Sequence, residues 1–391
     1  MAETHFAAGR FADAAAACAP AFQHGGTTAC QAVTARVRML EDRVSEAIPL
    51  ITAWLKARPA DREARQLLAE AHYRQGRGDL AAPHYQALDR GSVAKKLESL
   101  GASMYRIAEP GITVTLPFLQ TDPLPMVDLI VNGERGSFIL DTGGAELILD
   151  PGFAKRVGAV EFGPDTGTFA GGQRAAIQHG AVRTVGLGAQ RLDNVPVLLL
   201  DTAKFALVAG GRPVAGVLGT LILYRFTATI DYPGARLVLA PRAVPDPGGG
   251  LSLPLWMAGD HFLITPGRFN DAPETMLFLD TGLAGPAFAV PESELANANI
   301  RKSTEGHEGV SGAGRITVHP LAPTRVALGP LATPGLTGLA GAFPPPLEHR
   351  FGFRIGGLVS HGLLRPYRVT LDFGRMRLGI QPPGSAVRDV N

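Results

Sequence analysis

Phe138-Ile139-Leu140-Asp141-Thr142-Gly143 and Leu277-Phe278-Leu279-Asp280-Thr281-Gly282 are the two stretches on which the reading of the fold turns. Each is a short apolar run, suited to a buried strand, ended by a carboxylate, a hydroxyl and a glycine. The two aspartates lie 280 − 141 = 139 residues apart. Three further matches follow at an offset of 141: Gly216-Val217-Leu218-Gly219 with Gly357-Leu358-Val359-Ser360, Thr229-Ile230-Asp231-Tyr232 with Thr370-Leu371-Asp372-Phe373, and Arg236-Leu237 with Arg377-Leu378. Features that recur in one order at nearly constant spacing indicate an internal repeat. Two copies of one β-rich unit are therefore expected, over 112–242 and 251–391, with the Pro- and Gly-rich stretch 243–250 as a linker.

Outside this region the composition changes. The first 100 residues hold 6 Gly and 4 Pro, and the other 291 hold 42 Gly and 27 Pro. Sparse Gly and Pro among Ala, Leu, Arg and Glu favour helices, whereas dense Gly and Pro between apolar runs favour strands joined by turns. Residues 1–100 are expected to be helical and 101–111 a linker, since Ala108-Glu109-Pro110-Gly111 stops a helix. The helical part has a period of its own. Ala14, Ala47 and Ala81 recur in similar contexts at spacings of 33 and 34, the length of a tetratricopeptide helix pair. Leu67, Leu68, Ala71, Tyr73 and Tyr85 would supply the stacking surface, and Pro59 would end one pair. Cys18 and Cys30 fall near a helix end and the next helix start. They are either a disulfide or two buried thiols.

Two Asp-Thr-Gly loops meeting face to face would bring two carboxylates to contact distance. Like charges that close cannot both ionise cheaply away from water, so the pair would hold one proton. Such a pair can bind a water between its oxygens. One carboxylate would take the proton of the attacking water while the other donates to a peptide carbonyl oxygen. Asp141 and Asp280 are the expected catalytic residues, with Thr142, Gly143, Thr281 and Gly282 in support. A third triplet, Asp165-Thr166-Gly167, follows Gly163-Pro164 and has no partner at the repeat offset. It is expected to be a turn with a solvated carboxylate.

Residues 112 to 380 resemble the pepsin-like and retropepsin-like aspartic peptidases, on the strength of both triplets and the segments Val217-Leu218-Gly219 and Leu358-Val359-Ser360. The resemblance implies a multidomain α plus all-β chain, with helical repeats ahead of a bilobal, pseudo-twofold β-barrel peptidase. It implies closed lobes of six or seven strands with a cleft between them. In such a fold Thr142 and Thr281 would interlock, and the flap candidates are Thr168, Phe169, Ala170 and Gly171 in one hairpin and Ser311 and Gly312 in the other. Three departures stand out. Gly144 and Leu283 occupy the places where a hydroxyl often supports the outer carboxylate oxygen. The tyrosines, at 73, 85, 105, 224, 232 and 367, miss both flaps. Ser360 replaces a glycine.

The function expected is an aspartic endopeptidase, with a peptide or protein substrate in the cleft and the helical repeats recruiting or gating it. The alternative is an inactive peptide-binding scaffold that keeps only the peptidase shape. No cofactor or metal is expected: the histidines lack His-Glu-x-x-His spacing, and no Gly-Lys dipeptide or Gly-x-Ser-x-Gly elbow occurs. Ser360 and His361 are neighbours on a strand pattern and would face opposite ways. Lys+Arg of 37 against Asp+Glu of 35 gives no electrostatic reason to expect nucleic acid. No apolar run is long enough for a membrane span, and no signal peptide opens the chain. A monomer in the periplasm or outside the cell is expected, from the cysteine pair and the charge-poor β region, with the cytoplasm as the alternative.

Overall fold

The computed structural model describes residues 1–383, apart from 24 and 247. Helices occupy the first 100 residues: α1 (Ala2–Ala7), α2 (Phe11–Phe22), α3 (Thr28–Leu40), α4 (Val44–Ala57), α5 (Arg62–Arg74), α6 (Gly78–Gln86) and α7 (Gly91–Leu100). Two of them start on side-chain caps. The Thr27 hydroxyl accepts from the Cys30 N–H at 3.2 Å, and Asp61 accepts from the Ala64 N–H at 3.0 Å. Consecutive helices pack on one another. Ala14, Ala47 and Ala81 are each the fourth residue of alternate helices α2, α4 and α6, and all three are fully buried. The 33- and 34-residue period therefore marks equivalent close approaches between helices. Pro59 lies in the turn between α4 and α5, and Cys18 and Cys30 are joined in a disulfide that ties α2 to α3.

Residues 101–111 carry a 3-10 turn, Gly101–Ser103, and a short strand, Arg106–Ile107, paired with Asp193 and Leu192. The remainder is a large β region with short helices between strands. Its pairings recur. Strand Glu134–Leu140 runs parallel to Gly216–Leu218, with Ile139 opposite Val217. Strand Thr275–Leu279 runs parallel to Ile355–Val359, with Phe278 opposite Leu358. The last three residues before each aspartate, 138–140 and 277–279, and the whole of both crossing strands are buried, which is why these stretches read as unbroken apolar runs.

The β halves are not two self-contained closed units. A 14-stranded sheet takes strands from both, and the other sheet has eight. They join where Phe226–Asp231 pairs antiparallel with Arg368–Asp372. Thr229 and Thr370, which match at the 141-residue offset, sit directly opposite each other, their hydroxyls 3.0 Å apart. Each of these two strands is thereby paired on both edges, the outer neighbours being Arg236–Pro241 and Arg377–Gln381.

The helices lie against both halves. α7 packs on the hairpin strands Val160–Thr168 and Arg174–Leu187, and α3 packs on Trp256–Ala258. Buried Arg74 of α5 donates to the carbonyls of Met257 and Gly259. Among the described residues no helix is long and apolar enough to cross a membrane.

Candidate active site

Asp141 and Asp280 stand one residue beyond their strands, where the Asp141 N–H donates to Leu218 O at 3.1 Å and the Asp280 N–H to Val359 O at 2.9 Å. The crossing strands thus fix where each carboxylate begins. The Gly143 and Gly282 amides then donate to the Oδ1 atoms of their own loop aspartates, at 2.7 and 2.9 Å. A Cβ on Gly143 would lie 2.6 Å from Asp280 Oδ1, and one on Gly282 would collide with the Asp141 carboxyl. Only glycine lets the loops come this close.

Thr142 and Thr281 hold the loops together reciprocally. Thr142 Oγ1 donates to Leu279 O at 2.7 Å and accepts from the Thr281 N–H at 3.1 Å. Thr281 Oγ1 donates to Leu140 O at 2.9 Å and accepts from the Thr142 N–H at 3.0 Å. Both threonines are buried, so these four bonds lie out of reach of water.

The carboxyl groups face each other, Asp280 Oδ1 and Asp141 Oδ1 lying 2.6 and 2.9 Å from where a Cβ on Gly143 would be, and each acts on the other's ionisation. Burial pushes both above the ordinary carboxylate range, and the charge of Asp141 drives Asp280 well above it. The asymmetry has a local cause. Asp141 is held by the Gly143 and Gly144 amides and faces His261, all of which favour its anion, while Asp280 has the Gly282 amide alone. Asp280 is accordingly the harder of the two to ionise. Asp280 keeps its proton to higher pH when folded than when unfolded. Its contribution to stability is therefore complete in acid and is lost as pH rises through the folded value. Asp280→Asn should equal the wild type at about pH 4 and melt higher at about pH 8. Calorimetry at both pH values checks this, and a variant that melts no higher at the alkaline end contradicts it.

The hairpin tips meet above the pair. Thr168 ends its strand, Phe169 follows, and Ala170 and Gly171 belong to the 3-10 turn Ala170–Gly172. Ser311 ends strand His307–Ser311, and Gly312 lies in the turn after it. Gln173 of the first hairpin donates to Arg315 O at 2.9 Å and accepts from Ser311 Oγ at 3.2 Å. The Phe169 ring rests where a Cβ on Gly312 would be. Beneath the tips, a cavity of about 690 Å³ is lined by both aspartates, Phe169, Gly312 and residues from the helices.

Two sequence expectations change. Asp165 is neither in a turn nor freely solvated. It sits in strand Val160–Thr168, within 3.1 Å of His179 Nε2 on the paired hairpin strand and 3.3 Å of Arg90, which α7 brings against that hairpin from the residue before its start. Ser360, in place of glycine, donates to Leu283 O at 3.0 Å, so its hydroxyl holds the turn after Asp280. The corresponding Gly219 has no room for a side chain against the Ala145 and Glu146 carbonyls. His361 turns away toward Asp122, at 3.9 Å, and does not partner Ser360.

A buried polar network, absent from the sequence reading, adjoins the pair. Glu146, five residues after Asp141, accepts Lys96 Nζ of α7 at 2.7 Å on both oxygens and the Tyr73 hydroxyl of α5 at 2.5 Å. Lys96 Nζ also lies 3.1 Å from His179 Nδ1. One chain of bonds thus runs from the Asp141 loop through α7 to the His179–Asp165 pair in the hairpin. The signal in the sequence was Lys96 itself, a charge set between the buried Val93, Ala94 and Leu97 of one helix.

Residues 127–221 match the model of a family described as aspartyl protease. The match takes in Asp141-Thr142-Gly143 and the crossing segment that ends at Gly219. It supports an aspartic-protease-like domain in this chain, and through it a hydrolase of the peptidase class. No curated protein matches the chain.

Proposed function

We propose that the protein is an aspartic endopeptidase in which Asp141 and Asp280, one proton between them, activate a water against a peptide bond. The observation that carries this reading is the pair of facing, partly buried carboxyls on two loops that are locked together by the reciprocal threonine bonds. Asp141, the anion, takes a proton from the water as its oxygen attacks the peptide carbonyl. Asp280 donates its proton to that carbonyl oxygen as negative charge develops there. The tetrahedral intermediate then breaks its C–N bond as the proton on Asp141 passes to the leaving nitrogen and one hydroxyl of the intermediate returns a proton to Asp280, which leaves a carboxylic acid, an amine and the starting form of the pair. The hairpin tips exclude bulk water and keep the substrate extended across the pair.

The halves are read as two copies of one unit about a local twofold axis. The opposed equivalents Thr229 and Thr370, the reciprocal threonine grip and the recurring parallel strand pairs support this. The helices are read as tetratricopeptide-like repeats, supported by Ala14, Ala47 and Ala81. They form a wall of the cleft and take part in admitting the substrate.

The test is incubation with an unfolded protein mixture from acid to neutral pH, beside Asp141→Asn and Asp280→Asn. Cleavage by the wild type that both variants lose supports the peptidase. The inactive scaffold is favoured by Gly144 and Leu283, which offer no hydroxyl to the outer oxygens. Its signature is peptide binding without cleavage at any pH.

A further inference from the structure

The two ends of the cleft start from equivalent residues and finish differently. At the 139-residue offset of the aspartates, Ala145 and Glu146 correspond to Ala284 and Gly285. Beside the second loop, Ala284, Phe205 and Val208 pack on the buried cluster that holds Leu124, and all four line the cavity. Phe205 and Val208 are only half-buried, Gly285 is exposed, and the neighbouring Leu207 is 79% exposed. This end opens on solvent.

Beside the first loop the corresponding place is filled by helices. Glu146 is buried under Lys96 of α7 and Tyr73 of α5, to which it is bonded. Tyr73, Tyr85, Val93 and Lys96 line the cavity here, and none is more than 6% exposed. Solvent does touch the rim, where the side chains of Asp260 and Arg90 are 49% and 41% exposed. Each of these is engaged, Asp260 with His261, and Arg90 with Asp165 and the Tyr85 ring. The wall behind them stays buried.

That wall is fastened at both sides. Parting Lys96 from Glu146 would strand a buried charge. Arg74 of α5 donates to Met257 O and Gly259 O in the second half. A peptide that ran on past the Asp141 loop would have to displace these groups, whereas one that ran past the Asp280 loop would leave into water. The cavity of about 690 Å³ also lies within the 300–1,000 Å³ or so of sites that enclose a small ligand, so it takes a few residues and not a long chain.

We propose that the cleft is blind at the Asp141-loop end, so that the protein hydrolyses a bond only a few residues from one terminus of its substrate. The substrate class is then short peptides and the ends of unfolded chains. This rests on the peptidase reading for the hydrolysis, while the blocked end rests on the helices alone. The first 100 residues thereby select substrates by how far they extend on one side of the cut.

Two measurements on the full-length protein test it. The first compares Ala145→Cys with Ala284→Cys, which sit at equivalent points of the two loops. The protein's own two cysteines are joined in a disulfide, so each variant carries a single thiol. Labelling by a bulky maleimide dye, divided by the rate with a small thiol reagent to cancel differences in thiolate content, should be about tenfold or more faster for Ala284→Cys. Equal ratios overturn the blind end.

The second uses an apolar peptide that the wild type cuts, made in four forms: as it is, extended by several residues on the amino side, on the carboxyl side, or on both. One extension should lower kcat/KM by about tenfold or more and the other leave it nearly unchanged, with the double extension matching the worse single one. The side that suffers shows which terminus faces the helices. Equal tolerance of both extensions, or equal loss from both, overturns the proposal. Failure of the wild type to cut any peptide would count against the peptidase and leave the labelling ratio to decide whether the end is blind.

Discussion

Asp280→Asn and Asp141→Asn are each expected to lower kcat for peptide hydrolysis by about 10³-fold or more, with KM little changed. General acid–base groups contribute about 10²–10⁴-fold each, and here the two act on one proton. In Asp141→Asn no anion remains to take the water's proton. In Asp280→Asn the carbonyl oxygen loses its acid, and an amide N–H is a far weaker one. The roles depend on each other, so the double variant should be scarcely worse than either single one. Substrate is held by the hairpins and the cleft walls, which neither change touches. Single-turnover kinetics on wild type and variants separate the chemical step from binding. A variant that kept a tenth of wild-type kcat would contradict the assignment.

Lys96→Met is the second large effect expected, and it concerns stability as well as rate. The Lys96 side chain is 1% exposed and that of Glu146 is 9%. Removing one member of a buried pair strands the other's charge, which costs about 3–5 kcal/mol. The Glu146 carboxylate would keep only the Tyr73 hydroxyl. Replacing both members, as Lys96→Met with Glu146→Gln, removes the stranded charge and should recover a good part of the loss. Denaturant unfolding of the two singles and the double gives the coupling directly. Catalysis should fall too, since the Gly144 and Ala145 carbonyls in the same loop anchor the Thr220 and Leu221 amides beneath Asp141. Additive losses in stability would show that the pair is not coupled.

Much of this site could be read along the chain because its chemistry is local. Asp141-Thr142-Gly143 and Asp280-Thr281-Gly282 each place a carboxylate, a hydroxyl and a tight turn within three residues, and the apolar strands before them are legible by composition alone. The alanines at 14, 47 and 81 were legible for the same reason, since close helix packing demands a small residue at a fixed interval. The Lys96–Glu146–Tyr73 cluster was not. Its members are 50 and 73 residues apart, and nothing in the sequence near Glu146 states that a helix from the first 100 residues will cover it. Asp165 misled for a related reason: its Gly-Pro context suggested a turn, but His179 of the paired strand and Arg90 from the residue before α7 decide its surroundings. The sharing of the 14-stranded sheet by strands of both β halves was likewise hidden, because strand pairing between distant segments leaves no local pattern.

The most direct test of a shared proton is the dependence of kcat/KM on pH, measured with a cleaved peptide for the wild type. Both carboxyls lie above the ordinary range, so the account predicts a bell. Its acid limb marks protonation of Asp141, its alkaline limb marks loss of the proton held with Asp280, and both limbs stand above the usual carboxylate pKa of about 4. A single rising limb that stays level through neutral pH would mean that the active form carries no such proton, and the mechanism would fail.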